Sequence, residues 1–245
     1  MHPALRAFRP ELVIFDKDGT LLDFAAMWGG WALDLALRLE RAAGLPLLDR
    51  LGTALGFDPR SGAPTPEGPL AVEPMAALRA YAASTLAEAG LSPARAEAAI
   101  AAVWASPDPV ALARPLADLP ALFAGLRAAG ARVAVATADD RAPTEATLAQ
   151  LGLAALVDRL ACADDGLPPK PAPDMVLRLC AELDTAPARA ALVGDSLTDM
   201  RMGRAAGVGL LVGVASGTGH PEALRQSADL LLGSVAELLA PQIGS

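Results

Sequence analysis

Asp16 and Asp18 stand one residue apart at the end of the apolar run Leu12-Val13-Ile14-Phe15, and Gly19 and Thr20 follow them. Alternate residues of an extended chain point the same way, so the two carboxylates can face one site. Carboxylates that close repel each other unless a cation lies between them or one holds a proton. Either arrangement is chemistry: a hard cation held by acids, or a nucleophile beside a proton donor. The plain alternative is a strand end with two solvated acids. A calcium-binding loop fits poorly, because Gly19 comes too early and no glutamate closes the loop.

Such residues need a scaffold that gathers them. Residues 12–15 read as a strand buried on both faces, which places Asp16 and Asp18 at the carboxyl edge of a parallel sheet. That edge is where open α/β sheets bind ligands. Further strands are predicted at Arg132–Thr137, Val157–Ala163, Ala190–Val193, Val208–Val214 and Leu230–Leu232. Helices are predicted between them at Leu116–Ala129, Thr144–Leu151, Asp174–Leu183 and from Met200 to Gly207. This alternation predicts an α/β fold with a doubly wound parallel sheet.

Between Phe24 and Val110 the pattern changes. Phe24, Met27, Trp28, Trp31 and Leu35 recur at helical spacing, and helices are predicted at Met75–Ala89 and Ser92–Trp104. Gly52 to Pro74 reads as a loop or broken helix, and Ser106-Pro107-Asp108-Pro109 as a linker. The expectation is a core of residues 1–23 and 111–245 interrupted by a helical cap of residues 24–110. Trp28 and Trp31 are read as helix packing in preference to pocket lining.

The parallel sheet would bring four polar strand ends to one edge: Asp16 with Asp18, Thr137, Lys170 beyond the third strand, and Asp195 with Asp199. Singly they have ordinary readings, as a helix cap, a solvated loop lysine and an N-cap. Together they supply a carboxylate nucleophile, a second carboxylate for proton transfer, a hydroxyl and an ammonium for phosphate, and acids for Mg²⁺.

Composition narrows the class. Apolar residues make up 53% of the 245, enough for a sizeable core, and the net charge of −8 argues against nucleic acid or an anionic membrane as partner. An anionic substrate would have to be met locally. Cys162 and Cys180 form no disulfide framework and no metal-ligand spacing, and are read as buried small hydrophobes in a reducing compartment. The N-terminus lacks a long apolar core and no run is long enough to span a bilayer, so a cytoplasmic protein is expected. Of 20 basic residues only Lys17 and Lys170 are lysines, which marks both as places where a compact ammonium is wanted.

The set resembles the motifs of the haloacid dehalogenase superfamily, in particular its phosphoglycolate-phosphatase-like group with a helical cap inserted after the first strand. Asp16-Lys17-Asp18-Gly19-Thr20 is similar to the first motif, Thr137 to the second, Lys170 to the third, and Gly194-Asp195 with Asp199 to the fourth. They occur in the family's order over nearly the whole chain. The resemblance implies a Rossmann-like core and Mg²⁺-dependent hydrolysis of a small phosphomonoester, phosphoglycolate-like or a sugar phosphate, through an aspartyl-phosphate. It implies Asp16 as nucleophile and Asp18 as the acid for the leaving alcohol and the base for water. Thr137, Lys170 and the backbone amide of Ala138 are implied at the phosphoryl oxygens. The metal would be held by Asp16, the Asp18 carbonyl and Asp195, with Asp199 orienting Lys170 or a metal-bound water. An aspartate at position 18 argues against a dehalogenase, which needs no leaving-group acid.

Two positions depart from the family pattern. Ala138 stands where asparagine is common, and Lys17 where an apolar residue is common. Strand alternation predicts that Lys17 points away from Asp16 and Asp18, into a structural salt bridge. The rival readings are a phosphomutase of the β-phosphoglucomutase type and a binding protein that kept the fold without turnover. The expected partner is a small phosphorylated metabolite selected by the cap, with no nucleic acid and no membrane; oligomeric state has no signature in this sequence.

Overall fold

The computed structural model describes residues 1–66, 68–73, 75–105 and 107–239; Glu67 and Pro74 of the expected loop and Ser106 of the expected linker lie outside the described residues. The chain begins with α1 (Pro3–Phe8) and β1 (Leu12–Phe15), followed by a π-helical turn at Ala25–Gly29. Helices α2 (Gly30–Ala43), α3 (Leu48–Leu55), α4 (Pro69–Val72), α5 (Met75–Glu88) and α6 (Pro93–Val103) come next. Then run α7 (Pro109–Leu112), α8 (Leu119–Ala128), β2 (Arg132–Ala136), α9 (Arg141–Gln150), β3 (Arg159–Ala161) and α10 (Asp174–Glu182). The chain continues through β4 (Ala190–Gly194), α11 (Leu197–Ala206), β5 (Leu210–Val214), α12 (Pro221–Ser227), β6 (Leu230–Leu232) and α13 (Ala236–Leu239). Two compact units result, Met1–Asp23 with Pro109–Ser245, and Phe24–Asp108. Residues 109 and 110 fall in the first unit because α7 packs on α9.

The first unit is built on a six-stranded sheet of order β3-β2-β1-β4-β5-β6, with every neighbouring pair parallel. The fold is α/β and doubly wound, as the alternation of elements predicts. Leu12 pairs with Arg132 and Ala190, and Phe15 with Val135 and Val193, so β1 lies in the middle with a strand on each side. All four of its residues are buried. Leu12 and Ile14 join Met175, Leu179, Met200 and Met202 of α10 and α11 in one cluster. Phe15 points to the other face and meets Phe123 of α8, ring centroids 5.2 Å apart. Each large apolar side chain sealed this way stabilises the sheet by about 1.5–3 kcal/mol. The strand order reverses between β1 and β4, the point at which a crevice opens beyond the carboxyl ends.

Element bounds differ from the sequence reading where a distant group intervenes. Helix α9 begins at Arg141, three residues before the expected Thr144, because Asp164 Oδ1 accepts from the Arg141 backbone N–H at 2.9 Å. No local pattern announces a cap supplied from beyond the next strand. Asp118 starts α8 by accepting from the Ala121 N–H at 3.0 Å, which moves that start from 116 to 119. β3 is shorter than Val157–Ala163 because Ala163–Asp165 turns into a 3₁₀ helix.

The second unit is helical. Leu35, Leu39, Leu51, Leu78, Leu86 and Ile100 form its core, and Trp28, Trp31 and Trp104 pack against it. The Trp31 ring stands edge-on to Trp28 at 6.3 Å and to Trp104 at 5.8 Å, and its Nε1 donates to the Ala105 carbonyl at 3.0 Å. The apolar face that starts at Phe24 opens with the π-helical turn before α2, and α3 occupies the beginning of the expected loop. Among the described residues no helix is long and apolar enough to cross a membrane.

Candidate active site

The carboxyl ends of β1 and β4 carry the acids. The β1–β4 ladder runs one step past the strand, Asp16 N–H donating to the Val193 carbonyl at 2.9 Å, so the Asp16 backbone is fixed by the sheet itself. Lys170 reaches in from the connection after β3. Its Nζ donates to Asp16 Oδ1 at 2.6 Å and to Asp199 Oδ1 at 2.8 Å, with the side chain only 7% exposed. Asp199 lies in the first turn of α11, where it closes a capping box. Ser196 Oγ donates to Asp199 Oδ2 at 2.6 Å while accepting from the Asp199 N–H at 3.1 Å.

Asp195 is held by two threonines. Its Oδ1 accepts from Thr20 Oγ1 at 3.0 Å and its Oδ2 from the Thr218 N–H at 2.9 Å. The backbone presses on it from two sides. Gly19 sits at φ 85°, a left-handed conformation that favours glycine, and a Cβ there would lie 2.6 Å from Asp195 Oδ2. A Cβ at Gly217 would lie 1.9 Å from the same oxygen. A side chain at either glycine would collide with the carboxylate where it stands.

Asp16, Asp195 and Asp199 offer carboxylate oxygens that all lie within 4.8 Å of one another, and all three residues are buried. Three carboxylates face one ammonium. Burial pushes the Asp16 carboxyl up, with Asp199 adding to it and Lys170 pulling against it. Burial pushes Asp195 up as well, and Asp16 and Asp199 add to it. Burial alone would lower the Lys170 ammonium, but the two carboxylates outweigh it and hold the group above the ordinary lysine range. The donor set is all oxygen and carries excess negative charge, which suits a hard divalent cation such as Mg²⁺. A carboxylate has about four acceptor sites, so oxygens that already take a hydrogen bond can still ligate.

Asp18 lies outside that trio. The chain leaves the extended conformation after Phe15, and the Lys17 carbonyl accepts from the Leu21 and Leu22 N–H groups at 2.8 and 3.0 Å. Lys17 therefore does not follow strand alternation. Instead of pointing away from Asp18, its Nζ donates to the Asp18 carboxylate, 2.7 Å from both oxygens, and pairs with Asp139 Oδ2 at 2.9 Å. The expected salt bridge exists, but one partner is Asp18 itself. Burial lifts the Asp18 carboxyl to about 7, against the pull of Lys17 and with a push from Asp139. Thr137 follows directly after β2, buried, its N–H on the Ala161 carbonyl at 2.9 Å and its Oγ1 accepting from the Asp139 N–H at 3.1 Å. Ala138 is exposed between them.

The structure thus joins Asp16, Lys170, Asp199 and Asp195 in one cluster. Asp18, Lys17, Asp139 and Thr137 form a second chain of contacts that starts two residues further along. The sequence reading gave no role to Asp139, Thr20, Ser196 or the Ser216–Gly219 turn. Ser196 had a visible signal, the Ser-x-x-Asp spacing that marks a capping box. Asp139 and Thr218 had none, since their partners lie far along the chain.

Comparison with known proteins follows the same outline. A family model described as a haloacid dehalogenase-like hydrolase matches residues 10–207. The chain is 28% identical over 230 residues to an N-acetylmuramic acid 6-phosphate phosphatase of Pseudomonas aeruginosa, covering 89% of this chain and 87% of that protein. It is 37% identical over 121 residues to a plasmid-encoded phosphoglycolate phosphatase of Cupriavidus necator, spanning 48% of this chain and 51% of the relative. Among solved structures, one described as a predicted phosphoglycolate phosphatase from Haemophilus somnus superposes with a TM-score of 0.61 at 19% identity, over 94% of this chain and 97% of that one.

Proposed function

The chain belongs to the haloacid dehalogenase-like hydrolases, and within that family we propose that it hydrolyses a small phosphomonoester, phosphoglycolate-like or a sugar phosphate, with the phosphoryl group carried on Asp16. The observation that carries this reading is the contact of Lys170 Nζ with Asp16 Oδ1 at 2.6 Å inside a buried carboxylate trio. It supports a carboxylate nucleophile beside a cation that can receive phosphate. The phosphatases among the relatives support the reaction class, and the match that covers most of both chains supports a sugar phosphate among the candidates.

In the first step an Asp16 oxygen forms the bond to phosphorus. The bond to the alcohol breaks with its electron pair on the leaving oxygen, and Asp18 gives that oxygen a proton. In the second step Asp18 takes a proton from water as the water oxygen bonds to phosphorus, and Asp16 departs as a carboxylate. Lys170, Thr137 and the Ala138 amide hold the phosphoryl oxygens, and Asp199 keeps the Lys170 ammonium aimed at them. Asp16, Asp195 and the Asp18 carbonyl would hold Mg²⁺, with Asp199 beside it. That ion, when bound, offsets the repulsion between the nucleophile and the phosphate dianion. Residues 24–108 act as the cap that selects the substrate, and the enzyme works in the cytoplasm on a small phosphorylated metabolite.

A screen of phosphomonoesters at fixed Mg²⁺ tests the reading. Turnover of p-nitrophenyl phosphate and at least one alkyl phosphate, lost on chelation and restored by Mg²⁺, is expected. No turnover of any phosphomonoester by folded, Mg²⁺-supplied protein would overturn it.

A further inference from the structure

We propose that Lys17, braced by Asp139, is a positioning residue that presents the Asp18 carboxyl for proton transfer to the leaving group. This rests on the phosphatase reading above. The Lys17 ammonium lies 2.7 Å from both Asp18 oxygens, which share it, and forms an ion pair with Asp139 Oδ2 at 2.9 Å. The side chain is 1% exposed, against 16% for Asp18 and 29% for Asp139. Its aliphatic stem shares a small apolar recess with Leu21, Leu119 and Leu148, so water has little room to replace it.

A buried lysine must have partners, and any acid would satisfy that need. What distinguishes this one is which acid it holds and how. The hydrogen bonding that the structure gives the Asp18 carboxylate comes from Lys17, shared between the two oxygens. A carboxylate turns freely about its last torsion unless something fixes it. The clamp is itself anchored to the second strand. Asp139 donates its N–H to Thr137 Oγ1 at 3.1 Å and its carbonyl accepts from the Ala163 N–H at 2.9 Å. The path Thr137–Asp139–Lys17–Asp18 therefore sets the proton donor in register with a residue proposed at the phosphoryl oxygens. Asp139 also shares the ammonium charge, so the lysine holds Asp18 by geometry without confronting it as a lone cation.

Leaving-group dependence tests this directly. A donated proton matters most when the departing oxygen is a poor leaving group. The measurement is kcat/KM, which reports the first chemical step, for aryl phosphates from p-nitrophenyl to unsubstituted phenyl. Lys17→Met is expected to lose about tenfold more on phenyl phosphate than on p-nitrophenyl phosphate, a fraction of what positioned proton transfer contributes. Asp139→Asn shifts the series in the same direction by less, and Lys17→Arg recovers part of the loss. Equal loss on every substrate by folded Lys17→Met, while Asp18→Asn steepens the series, would overturn the proposal. A flat series with Asp18→Asn itself would instead refute the acid role of Asp18, and inactivity of the wild type the phosphatase reading. If Lys17→Met does not fold, Asp139→Asn decides by the same criterion.

Discussion

The Lys170 ammonium lies between Asp16 and Asp199, 2.6 Å from one and 2.8 Å from the other. One cation thus satisfies two buried carboxylates, and in the proposed reaction it would meet the phosphate charge during transfer. An ammonium so placed, in a buried site, acts on the transition state with little screening. Lys170→Ala is expected to lower kcat/KM by about 10²–10³, or about 3–4 kcal/mol, the scale of one preorganised electrostatic contact. Steady-state kinetics on a folded variant checks this; a loss below about threefold would remove Lys170 from the reaction. The two lysines that composition singles out turn out to hold the two acids of the first motif, one each. That Lys170 reaches Asp16 follows from a parallel sheet gathering its carboxyl ends. That Lys17 grips Asp18 was not legible, because alternation applies only while the strand lasts, and β1 stops at Phe15.

At the scale of elements, the connection after β3 that delivers Lys170 is tied down by Asp165. Its carboxylate accepts from Arg141 Nη2 at 2.8 Å, from Arg178 and from the Cys162 N–H at 2.8 Å, joining α9 and α10 beneath the connection. Burial alone would raise the Asp165 carboxyl, but the Cys162 amide and both guanidinium groups outweigh it and lower it to about 2. The folded pKa is depressed, so the stability it contributes is present above the unfolded value and is lost as pH falls through about 2. Asp165→Asn is expected to cost about 2 kcal/mol near neutrality. The gap from wild type should narrow between about pH 5 and about pH 2, as denaturant melts at several pH values will show. A gap independent of pH would mean that the charge contributes nothing. Order and type of the sheet elements were readable, since buried apolar runs between amphipathic helices have few other solutions. Ends set by remote groups, such as Asp164 at Arg141, were not.

At the scale of the molecule, the chain forms two compact units. Residues 24–108 close on their own apolar core, and the sheet unit carries every acid of the site. In the proposed reaction a chain of net charge −8 meets an anionic ester with positive charge concentrated at one point, which Lys170 and a cation held by the carboxylate trio would provide. A change of periodicity is legible in the sequence at Phe24, whereas the π-helical turn at Ala25–Gly29 has no such signature. Covalent capture on Asp16 is the claim on which the account stands. Asp18→Asn supplied with Mg²⁺ and p-nitrophenyl phosphate can still load the phosphoryl group but is slowed in releasing it, so acid quenching followed by peptide mapping should find phosphate on Asp16. Phosphate on any other residue, or turnover with no covalently held phosphate at any time, would contradict it.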